Sequence, residues 1–159
     1  MPIFLDLDGV LADFAQGTID LLGMPSREFE QQHGVAAFWR RLAEAEDFYG
    51  RLPLLPDAGL LFGAVQHLDP TILTGLPKGG WAEPQKRRWA TTHFPGVRMI
   101  ACWAADKHLH CRPGDILVDD QARAADRWQA AGGLFIHHQD AGTTIRQLVS
   151  MGLLDGAAA

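Results

Sequence analysis

The sequence predicts an α/β fold with a central parallel five-stranded sheet. Short apolar runs that end in polar or glycine residues recur at 3–7, 71–73, 97–102, 116–118 and 134–136, which is the signature of buried strands emptying into loops. Between them, segments 59–67, 81–93, 122–131 and 143–151 return apolar residues every three or four positions, as helices packed on a sheet do. Strict alternation of strand and helix implies parallel pairing with right-handed crossovers. At 159 residues and 47% hydrophobic content, the chain has enough material for one such core.

Taken in order, the first strand is IFLDL, apolar until two carboxylates, Asp6 and Asp8, and then Gly9. From Ala12 to about Pro56 the alternation breaks: two or three helical stretches occur with no strand, ending in the proline-bearing LPLLPDAG. This interval, about 12–56, reads as a small helical cap inserted after the first strand, with the core formed by 1–11 and 57–155 of a single domain 1–159. The second strand runs into Thr74 and Gly75, the third into Asp106 and Lys107, the fourth into Asp119 and Asp120. The tail GAAA at 156–159 has nothing apolar to anchor it and is expected to fray.

Charge narrows the class of partner. With 19 acidic against 14 basic residues, a formal net charge of −5, and no basic run longer than Lys86-Arg87-Arg88, neither a nucleic-acid polymer nor an anionic membrane fits. No segment approaches the roughly 20 apolar residues of a membrane span, so a cytoplasmic protein is expected. Cys102 and Cys111 are too few for a disulfide framework and lack zinc spacing; both are expected to be reduced.

In an open parallel sheet, ligands bind beyond the carboxyl ends of the strands. Carboxylates gathered there without compensation are costly unless a cation joins them. A hard divalent ion suits oxygen ligands, and magnesium, which keeps waters and a substrate phosphate in its shell, suits them better than zinc does. Each acid alone has a plainer reading. Asp and Gly after a strand often only make a turn, and Asp119-Asp120 before a helix could be an N-cap. The joint pattern, at one strand end after another, is what turn chemistry does not account for. The histidines, with His108/His110 and His137/His138 at alternate or adjacent spacing, read as surface or satisfied loop residues.

DLDGVLADF, ILTGLPK, the DK pair at 106–107 and GDILVDD resemble the four motifs of the haloacid dehalogenase (HAD) superfamily, over most of the chain. Within it the sequence is most similar to the 5'(3')-deoxyribonucleotidases, which share the DGVLADF opening, the DD fourth motif and a short cap like that carrying Phe38-Trp39 and DFYGRLPLLPDA. The resemblance implies a HAD-like Rossmannoid three-layer fold and a Mg2+-dependent phosphatase. Its substrates would be phosphomonoesters, among them (deoxy)ribonucleoside 5'- or 3'-monophosphates. Asp6 would attack phosphorus and form an aspartyl-phosphate, which splits one hard displacement into two easier ones. Asp8 would protonate the leaving oxygen and then deprotonate water. Thr74 would bond a phosphoryl oxygen and Lys107 would neutralise charge. The metal would lie among Asp6, Asp8 through its carbonyl, Asp119 and Asp120. Phe14, Phe38 and Trp39 match aromatics of the nucleotidase base pocket, and Lys78 matches a lysine near the substrate. Lys86 competes with Lys107 for the third-motif role; the charged neighbours Arg87 and Arg88 favour a surface position for it.

Two departures affect specificity. Gly75 stands where the nucleotidases carry serine, and Ala105 where they carry arginine, so polar contacts to substrate are lost and discrimination with them. A phosphatase for another small metabolite, and a phosphate-binding module without turnover, are the competing expectations. Dehalogenase chemistry needs neither Asp8 nor a metal.

Overall fold

The computed structural model describes residues 2–156, so Ala157–Ala159 of the expected frayed tail lie outside it. Strands β1 (Ile3–Leu5), β2 (Thr71–Leu76), β3 (Met99–Trp103), β4 (Ile116–Asp119) and β5 (Leu134–His137) form one sheet in the order β3-β2-β1-β4-β5. Every adjacent pair is parallel, with Leu5 opposite Ile72 on one side and Val118 on the other. The first strand is thus central, and the ends of β2 and β4 flank the residues that follow it.

Alternation along the strands divides the interior in two. Ile3, Leu5, Ile72, Ile116, Val118 and Ile136 pack in one cluster with Leu61, Trp89 and Leu148, which come from α4 (Ala58–Val65), α5 (Ala82–His93) and α7 (Ala141–Ser150). Phe4, Leu73 and Leu117 point the other way, onto Trp128 of the short α6 (Ala125–Ala130). Phe4 meets Trp128 edge to face at 5.5 Å between centroids, and the indole N–H donates to the Asp115 carbonyl at 3.2 Å. Burial of each such side chain contributes roughly 1.5–3 kcal/mol. The parallel five-stranded sheet is the one that the sequence predicts, and its cover on both faces is the three-layer architecture that the resemblance implies.

Three helices, α1 (Phe14–Leu22), α2 (Ser26–His33) and α3 (Val35–Glu44), lie between β1 and α4 in the chain. Asp13 starts α1, its side chain accepting from the Gln16 N–H, and Gly23 ends it in the left-handed region at φ 76°. The chain enters and leaves this insert side by side: Asp13 N–H donates to Pro53 O at 2.8 Å and Leu55 N–H to Leu11 O at 2.9 Å.

Several bounds differ from the sequence reading: β2 runs on to Leu76, so Thr74 and Gly75 lie within it, β3 is Met99–Trp103, and 59–67 divides into α4 and a 3₁₀ turn (Gln66–Leu68). β1 stops at Leu5, not Leu7, because the chain turns at once and the Leu7 carbonyl accepts from the N–H groups of Leu11 and Ala12, both at 2.9 Å. The segment 122–131 divides into a 3₁₀ turn (Ala122–Ala124) and α6. Among the described residues, no helix is long and apolar enough to cross a membrane. Cys102 and Cys111 are both free.

Candidate active site

The C-terminal ends of β1, β2, β3 and β4, with the residues that follow them, meet at one edge of the sheet. Asp6 leaves β1 with its backbone N–H on Val118 O, so its position is set by the neighbouring strand. One carboxylate oxygen, Oδ1, accepts from Leu7 N–H and from Lys107 Nζ, both at 2.9 Å. Neither bond uses Oδ2. Lys107 lies in a 3₁₀ stretch (Ala104–His110) after β3 and also donates to Asp119 Oδ2 at 2.8 Å. Burial disfavours its charge, but Asp6 and Asp119 more than offset that and hold its pKa above the ordinary lysine range.

A second lysine occupies the site. Lys86 is 1% exposed, and its Nζ donates to Asp8 Oδ2 (2.8 Å), Thr74 Oγ1 (3.0 Å) and Gly75 O (2.7 Å). The surface position expected for Lys86 is therefore wrong. On α5 the buried residues are Ala82, Lys86, Trp89 and Ala90, a single helical stripe, whereas Arg87 turns outward to Glu83 and Arg88 to Asp47. That spacing was the signal in the sequence: the lysine shares the face of two alanines and a tryptophan. Its ammonium also lies 4.4 Å from the centre of the buried Tyr49 ring, which stacks on Trp81.

Asp6, Asp119 and Asp120 offer carboxylate oxygens all within 4.8 Å of one another. Burial first, and then the charges of Asp6 and Asp119, push the Asp120 carboxyl up to about 7; burial and Asp6 raise Asp119 as well. Both Asp119 oxygens are engaged, Oδ1 by Gln121 N–H and Oδ2 by Lys107, each at 2.8 Å. Asp120 Oδ1 and Asp8 Oδ1 are buried without a hydrogen-bond donor. Partnerless oxygens in a crowded carboxylate cluster are the donor set a hard cation requires. Gly9, at φ +82°, passes so close that a Cβ there would run into the Asp120 carboxylate.

These groups line the floor of a cavity of about 800 Å³. Its walls include Phe14, Trp39, Tyr49, Gly75, Ala104 and Ala105. Of the expected binding residues, Phe14, Trp39 and Gly75 thus border it. Phe38 does not: it is 2% exposed and packs behind, against Phe14 and Phe29, as part of the insert's own core. Lys78 also falls outside, exposed in the turn before Gly79 and Gly80. Thr74 is fully buried beneath Lys86, not on the cavity wall. His108 lines the cavity instead of sitting on the surface, and His138 is buried with Nδ1 2.7 Å from Thr144 Oγ1. Gly75 packs tightly: a Cβ there would lie 2.9 Å from that of Ala104. The missing serine and the small residue opposite it therefore go together.

Solved structures share this architecture. A HAD family hydrolase from Deinococcus radiodurans R1, with bound phosphate and sodium, superposes with a TM-score of 0.56 at 16% identity, over 98% of each chain. The chain has the fold of the HAD hydrolases. A hydrolase from Streptococcus pneumoniae TIGR4 gives 0.54 at 11% identity, covering 94% of this chain and 97% of that one. L-2-haloacid dehalogenase from Xanthobacter autotrophicus gives 0.51 at 14%, covering 97% and 84%. No protein-family model matches the sequence, and no curated protein does. Because dehalogenases share the fold with other hydrolases, the chemistry must be argued from the site.

Proposed function

We propose that the protein is a Mg2+-dependent phosphomonoesterase in which Asp6 is the nucleophile and Asp8 the general acid and base. The feature that carries this reading is the separate mounting of the two carboxylates. Lys107 and Leu7 N–H clamp Asp6 through one oxygen and leave the other for phosphorus, while Lys86 fixes Asp8 independently. Attack by Asp6 breaks the phosphorus–ester bond as Asp8 gives its proton to the departing oxygen. Water then attacks the aspartyl-phosphate, Asp8 takes the proton, and inorganic phosphate and free Asp6 result.

Asp6, the Asp8 carbonyl, Asp119 and Asp120 would hold the ion, with Asp120, whose Oδ1 has no donor, the readier direct ligand of the pair. When bound, it supplies charge neutralisation for the phosphoryl group. Lys107 adds fixed positive charge beside the nucleophile. Bound phosphate in the Deinococcus hydrolase favours the same chemistry. Dehalogenation, the activity in the name of the Xanthobacter enzyme, leaves Asp8 and the Asp119–Asp120 pair without employment.

For the leaving group, Phe14, Trp39 and Tyr49 offer flat apolar surface in a cavity large enough for a nucleoside. We therefore place (deoxy)ribonucleoside monophosphates first among substrates, with other small phosphate esters next. The test is phosphate release from a panel of esters, with and without Mg2+, alongside halide release from 2-haloacids. Hydrolysis that requires Mg2+ and is abolished by Asp6→Asn in a folded protein supports the reading; halide release, or full activity of Asp6→Asn, overturns it.

A further inference from the structure

The cations of the cavity fall into two sets. Lys86 and Lys107 belong to the floor, and both are committed: Lys86 to Asp8, Lys107 to Asp6 and Asp119. Arg123 and Arg127 border the same cavity, from the 3₁₀ turn after β4 and from α6. Among the described residues, neither guanidinium is ion-paired to a carboxylate.

Arg127 is also held in place. Its Nη1 donates to Ala105 O at 2.9 Å, which ties the exposed guanidinium to the stretch that carries Lys107 and His108 and leaves its other N–H groups without a protein acceptor among the described residues. A planar guanidinium mounted on a backbone carbonyl is pre-organised for an anion, because little rotamer entropy remains to be lost. The acids of the cavity lie elsewhere. Asp6, Asp8, Asp119 and Asp120 are on the floor, and Asp13 is on the insert side, its carboxylate occupied by Gln16 N–H at the start of α1.

We propose that this wall is a second anion site, and that among otherwise matched phosphomonoesters, nucleotides included, it favours those whose leaving group carries another anionic group, a phosphate or a carboxylate. The inference rests on the phosphomonoesterase reading. The transferred phosphoryl group meets the floor, and the second anion meets Arg123 and Arg127. Two arginines without carboxylate partners, on one wall of a cavity whose two lysines are already paired, set the selectivity.

Matched ester pairs test this. Adenosine 3',5'-bisphosphate against adenosine 5'-monophosphate isolates a second phosphate; 3-phosphoglycerate against glycerol 3-phosphate isolates a carboxylate. In the wild type, at least one pair should show a kcat/KM ratio of roughly ten or more in favour of the anion-bearing member. In the Arg123→Gln/Arg127→Gln double variant that ratio should collapse toward one. Ratios near one in the wild type, or equal losses on both members in the variant, overturn the proposal, the latter because the arginines would then serve the transferred phosphate or the fold.

Calorimetry on Asp6→Asn with Mg2+ separates the two readings. Tighter binding of the anion-bearing members, lost when the arginines are replaced, upholds the anion site even if no ester is turned over. Turnover without any such preference upholds the phosphatase and removes the anion site.

Discussion

Lys86 Nζ lies 2.8 Å from Asp8 Oδ2 although 78 residues separate them in sequence, and the lysine is almost wholly buried. Replacing it with methionine would leave Asp8 Oδ2, Thr74 Oγ1 and the Gly75 carbonyl without their shared donor. Lys86→Met is expected to lower kcat by about a hundredfold or more, because Asp8, the proposed general acid, loses its orientation. Stability should fall by roughly 1–3 kcal/mol. Steady-state kinetics and denaturant unfolding measure the two effects separately.

In the proposed Mg2+ complex, Asp120 couples ion binding to proton release. Its carboxyl, raised to about 7 by burial and by Asp6 and Asp119, is largely protonated in the ion-free protein at pH 6. Bound as proposed, Mg2+ would displace that proton. Calorimetric titrations at pH 6 in buffers of different ionisation enthalpy should show release approaching one proton, falling toward zero by pH 9.

The same shift sets the stability of the ion-free protein. A folded pKa above the ordinary value of 3.8 means that the folded state binds the proton more tightly. Its contribution is complete below about pH 4 and is lost as pH rises through about 7. In EDTA the Tm of the wild type should decline over that interval relative to Asp120→Asn, and Mg2+ should restore it at the alkaline end.

Gly9→Ala combines two penalties, a positive φ that an L-residue tolerates poorly and a Cβ directed into Asp120. A loss of about 1–3 kcal/mol is expected. Mg2+ affinity should fall with it, because Asp120 must move; unchanged affinity in a titration would show that Asp120 is not a ligand.

His138 gives a pH dependence of the opposite sign. Burial lowers its pKa below the ordinary 6.5, against the smaller upward pull of Asp57 and Asp140, so the folded protein holds it neutral. Its contribution is complete above about 6.5 and is lost as pH falls through the lower folded value. The stability difference between wild type and His138→Asn should therefore shrink between pH 8 and pH 5 in urea unfolding.

The strand ends were legible because their chemistry is local: DLDG, ILTG and ILVDD each join an apolar run to its polar exit within a few residues. Lys86 was legible only as a rival to Lys107: within QKRRW the charges look alike, and the stripe it shares with Ala82, Trp89 and Ala90 had to be weighed above its charged neighbours to turn it inward. Phe38 and Trp39 show the same limit. Adjacent aromatics on one helix must face different ways, and the depth of the insert's own core puts Phe38 inside and leaves Trp39 at the cavity. Arg123 and Arg127 lie in loop and short-helix sequence whose cavity-facing position depends on how α6 docks on the segment after β3.

Helix α5 does more than contribute a lysine. Gln85 Oε1 accepts from Tyr49 N–H, Arg88 pairs with Asp47 and the Trp89 indole donates to Leu52 O, so three residues of α5 grip the end of the helical insert while Lys86 grips Asp8 and Thr74. A single rod thus gauges the height of the roof above the floor. A one-residue slip in α5 would unseat both together, so the depth available to a leaving group and the aim of the proton donor are bound to change in step.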